Sequence, residues 1–397
     1  MNPVHRLLLL LVPIGCLLQA SNPWNQWLGG PERSLVAAWS GGDAIPRFTL
    51  LWRRSLGSGF AGVAVVGTNA VTAMTDGRQD LAILLDTETG AERWRFALSR
   101  TRKRGEGVPS GPLSTPALDS EAAYVQALDG RFVCLEITTG RPRWELNVKR
   151  EFKAYEPGYG FASSPLLLDD MVILLPAGST SASAAALDRL TGAVRWRTGL
   201  GTGTDYVSAT ALSQGSNAIV IAQTGTTVAA LAAHDGRIRW KLDDVAGGLW
   251  TPSILAGGSI FCPTAKESRL IQNVAETGRS TWTTPVFDGA MGPVVQLEGM
   301  LIGHHQRRLT AIDTETGTQL WQLPDETDGQ LMVLGKWLLF VNDRAGQLEV
   351  LSVTRDRAEV RSRQPVMKPA RMETPLAFAD GRLWIRGPEE LVVLKVE

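Results

Sequence analysis

Four histidines and three cysteines are all that the 397-residue chain offers to the commonest nucleophilic, acid–base and soft-metal chemistries. Two histidines are adjacent, His304 and His305. Neighbours on an extended strand point to opposite faces, so the pair chelates poorly, and no H-x-x-x-H or H-E-x-x-H spacing replaces it. Cys134 and Cys262 belong to no C-x-x-C, which leaves zinc and thiol-redox readings unsupported; both are expected to be small buried residues. What remains is binding chemistry. Lys149, Arg150, Lys153, Tyr155 and Tyr159 mix cations with phenols in one short stretch, and Arg100, Arg102, Lys103 and Arg104 form a second cationic run. Such runs suit an acidic partner or a solvated loop. Tyr206 and Trp250 could stack on a planar ligand or fill space. Lys266, His304, Asn342 and Arg344 fall in polar breaks between apolar runs, where solvent-facing turns present side chains. Forty basic residues balance forty acidic ones, so no global field favours nucleic acid or anionic lipid.

The elements that must carry these residues repeat. Leu85-Asp86-Thr87-Glu88-Thr89-Gly90-Ala91-Glu92-Arg93-Trp94 has close copies ending at Trp196 and Trp321 and looser ones ending at Trp144, Trp240 and Trp282. A degenerate seventh copy ends at Arg361, with Asp356-Arg357 in place of Thr-Gly. Short apolar runs such as 81–85, 172–175 and 338–341 read as strands buried on both faces. Glycine at a fixed offset closes a tight hairpin, and a tryptophan follows at one register, as stacking between neighbouring sheets requires. Each copy holds four candidate strands, in the first about 62–67, 70–75, 81–86 and 92–98, which predicts a β-propeller blade.

The ends distinguish a ring from a solenoid. The tryptophan-register positions 94, 144, 196, 240, 282, 321 and 361 are 39 to 52 residues apart, and the chain ends after the third strand of a further copy, at 391–396. The missing fourth strand is at the other end, where Leu51-Trp52-Arg53-Arg54-Ser55-Leu56 copies the pattern with no three strands before it. An amino-terminal strand completing the last blade removes two sheet edges and ties the termini together. The expected fold is therefore all-β, an eight-bladed propeller of four-stranded blades over residues 49–397, preceded by a lead-in at 21–48. The two widest spacings place extra residues at 99–110 and 149–160 on the loop face. The channel mouth either holds a deep pocket with converging polar groups or is plugged by side chains from those two connections.

The repeat, apolar-x-Asp-x-x-Thr-Gly-x-x-x-Trp, resembles that of the PQQ-type propellers, a family including the quinoprotein dehydrogenases and the outer-membrane assembly factor BamB. The resemblance spans Leu51 to Glu397, and Trp24-Asn25-Gln26-Trp27-Leu28-Gly29-Gly30-Pro31-Glu32-Arg33 is similar to the lead-in of exported bacterial PQQ-like propellers. It implies two different activities. One is a non-catalytic envelope protein, monomeric and without a cofactor, whose propeller face binds a protein or peptide. The other is a dehydrogenase holding PQQ and calcium, for which Trp250, Lys266 and Asn342 are residues of the right kinds. A carbohydrate-binding propeller is a third possibility that the aromatic residues suit.

The first twenty residues read as a signal peptide: His5 and Arg6 precede an apolar run over 7–12 that is too short to span a bilayer comfortably. Ile14-Gly15-Cys16 is similar to the end of a bacterial lipoprotein signal, in which Cys16 carries the lipid. Both readings place the protein in the periplasm or cell envelope, with no transmembrane segment.

Overall fold

The computed structural model describes residues 24–397 apart from 31, 103–109, 178–180, 202, 204–205, 213–214, 244, 246–250, 265, 288–291 and 326. Eight sheets stand around one axis, each with four antiparallel blade strands; six contain consecutive strands alone, and the other two each take in one strand from the amino-terminal region. Blade one comprises Ala64–Val66, Asn69–Thr75, Gln79–Asp86 and Glu92–Arg100, innermost strand first. The eighth sheet joins the termini: Phe48–Ser55 pairs antiparallel with Glu390–Val396, in a register running from Phe48 opposite Val396 to Ser55 opposite Glu390. The predicted closure and blade count hold.

The repeat has a mechanical explanation. In seven blades the fourth-strand tryptophan donates its indole N–H to a carbonyl in the 3–4 turn of the next blade. Trp94 donates to Ile137 at 2.7 Å, Trp144 to Arg189 at 3.1 Å and Trp52 to Thr87 at 3.1 Å. The ring lies flat on the turn glycine: a Cβ added to Gly140, whose φ is +68°, would meet the Trp94 ring at 2.8 Å. Glycine and tryptophan are thus coupled one blade apart, and each ring both packs and hydrogen-bonds. Most of these rings keep an exposed edge; Trp196, Trp240 and Trp321 are nearly buried, at 7–8% exposure.

A second set of bonds fastens the blades near the axis. The Gly62 amide donates to Thr115 Oγ1 at 2.8 Å, Thr115 to Ser164 Oγ at 3.0 Å, Ser164 to Ser208 Oγ at 2.8 Å and Ser208 to Thr251 Oγ1 at 3.0 Å. This explains the hydroxyl residue before several inner strands. It caps the amide that its neighbour presents to the crowded axis, and the proline after it in Thr115-Pro116, Ser164-Pro165 and Thr251-Pro252 has no N–H to satisfy.

The described lead-in fills the channel, an occupant that neither the pocket nor the long-connection alternative named. The Trp24 carbonyl accepts from Val65 in blade one, Asn25 from Leu118 in blade two, Glu32 from Ile254 in blade five, and Leu35 and Ala37 from Val333 and Gly335 in blade seven. Gln26 Oε1 accepts from Leu167 in blade three at 2.7 Å. Val36–Ala37 then lies parallel to the blade-seven inner strand as a fifth strand. The physical cause is the inner edge of each blade, whose amides face a dry axis and need acceptors that water cannot bring. Leu28, Arg33 and Leu35 all adopt positive φ, between 52° and 64°, a cost that only a closely fitting channel can impose.

Arg33 is the centre of the plug and wholly buried. Its guanidinium donates to the carbonyls of Trp27, Ser164, Pro165 and Ala209 and lies 5.3 Å from the Trp27 ring. No carboxylate meets it among its described partners, and burial lowers its pKa to about 9. After Ala37 the chain leaves along the face opposite the loop face, where Asp43 pairs with Lys336 and Arg47 pairs through its backbone with Glu397.

Candidate functional site

With the axis closed, the loop face is left with two groups of predicted residues on opposite sides. The first is built on the 149–160 connection. Asn147 caps a single helical turn, Val148–Glu151, by accepting from the Arg150 amide at 3.0 Å. Val148, Phe152, Ala154 and Phe161 are buried against Phe132, so this connection folds as a small cap on the core shared by blades two and three. Lys149, Arg150, Lys153, Tyr155 and Tyr159 are left on its outer surface, all exposed. Lys149 and Arg102 both pair with Glu156, which ties the two long connections together and neutralises part of the cationic run. Lys103 and Arg104 lie outside the described residues. Tyr206 reaches across from blade four: its hydroxyl accepts from the Tyr159 amide at 3.0 Å, and the two rings are 5.8 Å apart.

The second group sits over blades six to eight, in an open cleft of about 810 Å³. His304 and Arg307 come from the second-to-third-strand turn of blade six, Asp343 and Arg344 from that of blade seven. Asp328, Gly329 and Gln330 begin the blade-seven inner strand, and Pro369–Glu373 form a lip ahead of blade eight. Asn342 positions one wall: its Oδ1 accepts from the amides of Arg344 and Ala345 at 3.1 and 3.2 Å, closing the turn. Lys266 is exposed on the blade-five turn, away from both groups, and Trp250 lies outside the described residues.

The cleft has an uneven charge arrangement. Arg307 pairs with Asp328 at 3.0 Å, Arg344 approaches the same carboxylate at 3.8 Å, and Arg371 pairs with Glu373 at 2.9 Å. Asp343 takes no part in these pairs. Its Oδ2 accepts from the Met372 amide at 2.8 Å, while burial pushes its carboxyl up to about 7. His304 lies beside the Phe340 ring, 5.4 Å away, with Nε2 3.3 Å from Thr327 Oγ1; burial pushes its imidazole down to about 4. His305 turns aside, and its Nδ1 accepts from the Phe287 amide at 3.2 Å. The adjacent histidines therefore diverge, as strand geometry requires.

A quinone with calcium fits the described residues poorly. Asn342 spends its carboxamide oxygen on its own turn, Lys266 stands two blades away, and no three His, Cys, Asp or Glu side chains among the described residues are grouped to hold a metal ion. Cys134 and Cys262 are free and buried in blades two and five, and burial pushes both thiols up to about 12. No described helix is long and apolar enough to cross a membrane. Sequence reasoning named His304, Asn342 and Arg344 but passed over Asp343 between two of them, and also Gln330 and the lip. An acidic residue in a turn ordinarily faces solvent; only the fold of 369–373 over Asp343 buries it.

Comparison with known proteins gives a consistent picture of the scaffold. The family model described as outer membrane protein assembly factor BamB matches residues 47–284 and 224–374. Among solved structures, BamB from Moraxella catarrhalis is 15% identical with a TM-score of 0.65, covering 88% of this chain and 100% of that one. The quinohemoprotein alcohol dehydrogenase from Comamonas testosteroni is 13% identical with a TM-score of 0.70, covering 94% and 80%. The computationally designed protein Ika8 is 13% identical with a TM-score of 0.58, covering 86% and 98%. At these identities the structures share the fold and nothing finer. No curated protein matches the chain.

Proposed function

Because the chain belongs to the family of the outer membrane protein assembly factor BamB, we propose that it is a non-catalytic cell-envelope protein whose loop face binds a protein or peptide partner. The observation that carries this reading is the use of the axis. The channel, the usual place for a small ligand in a propeller, is filled by residues 24–37 of the same chain, with Arg33 at the centre. Among the described residues, binding area is left on the rim, where an open cleft and a tyrosine-bearing cap lie on opposite sides. Open surfaces of this kind, spread over several blades, suit a macromolecule better than a small substrate. The localisation that goes with it is export, with residues 1–20 as a cleaved signal peptide or, alternatively, with cleavage ahead of a lipidated Cys16; these residues lie outside the described part.

Site-specific photocrosslinking in the native envelope tests the reading, with the photoreactive residue at Tyr159 or Arg344 on the loop face and at Asp43 on the opposite face. A discrete protein adduct from the loop-face positions and none from Asp43 is expected. Absence of adducts at all three positions would overturn the scaffold role.

A further inference from the structure

We infer that the cleft over blades six to eight is a receptor for one lysine or arginine side chain of the partner polypeptide, held by Asp343 and Gln330. The inference rests on the scaffold reading and adds the chemistry of what is bound. Asp343 and Gln330 are 6% and 4% exposed, and both line the cleft. They clasp the same lip residue from two sides: Asp343 Oδ2 accepts from the Met372 amide at 2.8 Å, and Gln330 Nε2 donates to the Met372 carbonyl at 2.9 Å. The Asp343 carbonyl also accepts from Ala370 at 3.1 Å. Each side chain then has one oxygen left, Asp343 Oδ1 and Gln330 Oε1, and neither finds a donor among the described residues.

Two buried acceptors without donors in one cleft are a specific deficit. An unmade bond to a buried polar atom is costly, and more so above about pH 7, where Asp343 is ionised and its free oxygen carries charge. The arginines of the cleft do not fill it in this structure: Arg307 and Arg344 face Asp328 and Arg371 pairs with Glu373. What is missing is a group with several N–H donors and positive charge, which describes an ammonium or a guanidinium. A basic side chain brings this on a flexible stem that can reach past the lip 369–373, which the three bonds given above and the burial of Met372 attach to the floor. The cleft volume of about 810 Å³ greatly exceeds one such head group, leaving room for the flanking backbone of an extended segment.

End-blocked, dye-labelled pentapeptides with lysine, arginine or norleucine at the central position test this by fluorescence anisotropy against the full chain at low ionic strength. The two basic peptides are expected to bind at least tenfold more tightly than the norleucine peptide. Asp343→Asn, which keeps an acceptor for the Met372 amide, is expected to abolish that preference, and Asp43→Asn on the opposite face to preserve it. Equal binding of all three peptides to the native chain overturns the inference without depending on any variant's folding, as does a preference that survives Asp343→Asn. The crosslinking separates the two claims. Adducts through Tyr159 alone, with no peptide preference, sink the basic-residue pocket and leave the scaffold role standing. A peptide preference without adducts does the reverse.

Discussion

Arg33 Nε donates to the carbonyl oxygen of Ala209 at 2.5 Å, across 176 positions of sequence. This bond and its companions to Ser164 and Pro165 attach the lead-in to blades three and four at the axis. A propeller is usually held by contacts between neighbouring blades; here a single segment also touches blades one, two, three, four, five and seven in turn. The fold is therefore fastened from within as well as around its rim.

Arg33→Met should lower stability by about 3 kcal/mol, because it keeps the volume but leaves inward-facing carbonyls without donors in a dry channel. Arg33→Lys should recover only part of the loss, since one ammonium cannot reach the lead-in carbonyl and two blades at once. Guanidinium denaturation followed by tryptophan fluorescence measures both. An unchanged midpoint for Arg33→Met would mean that water replaces the guanidinium and that the plug is not a tether.

The coupling of glycine to tryptophan has an internal control. Gly140 and Gly67 have similar backbone angles, φ +68° and +56°, but a Cβ at Gly67 meets nothing within 4 Å. Gly67→Ala should cost roughly 1 kcal/mol for the left-handed backbone alone. Gly140→Ala should cost about 2 kcal/mol more, as the Trp94 ring is pushed off its seat, with a red shift of tryptophan emission. Equal losses in the two variants would argue against the stacking.

The hydroxyl chain near the axis gives a sharper substitution pair. Ser164→Ala removes the acceptor for the Thr115 amide, bonded at 3.0 Å, and should cost about 1–3 kcal/mol. Ser164→Thr should stay close to the parent, because threonine takes the same role at 115 and 251. Thermal unfolding distinguishes them; a neutral Ser164→Ala would show that another acceptor is within reach.

The cleft should make stability depend on pH in two opposing ways. Asp343 has a folded pKa of about 7, above the value of about 4 expected when unfolded, so the native state holds a proton that the unfolded chain has released. Stability from this residue is full below pH 4 and is lost as pH rises to 7, by roughly 2 kcal/mol after allowing for partial screening at the rim. His304 has the reverse sign: its folded pKa of about 4 lies below the unfolded 6.5, so its penalty is largest in acid and disappears as pH rises through 6.5. In Asp343→Asn, the fall between pH 5 and 7.5 should vanish and the rise due to His304 remain. Denaturation midpoints across that range check it, and a fall of parental size in Asp343→Asn would remove Asp343 as its cause.

The sequence made the scaffold legible because the repeat records a contact. Gly90, Gly140, Gly192 and their counterparts are fixed by a neighbouring indole, and the fourth-strand tryptophans by a carbonyl one blade on, so the pattern recurs wherever that contact does. Closure followed from the unmatched strand around Trp52. The candidate site was only half visible. His304, Asn342 and Arg344 stood out as polar residues in turns, and Lys149 to Tyr159 as a long insertion. Asp343 carried no local mark, and the lead-in motif gave no sign that its arginine would cross the axis.

Strand number, blade count and ring closure are properties of period, and period is written along the chain. Which atoms are stranded or satisfied at the axis and in the cleft depends on residues hundreds of positions apart meeting in a dry space. Arg33 meets Ala209, and Gln330 meets Met372 beside Asp343, only because eight sheets converge and bring their inner edges and lips together. Local propensity says nothing about that convergence, and the tertiary packing alone decided it.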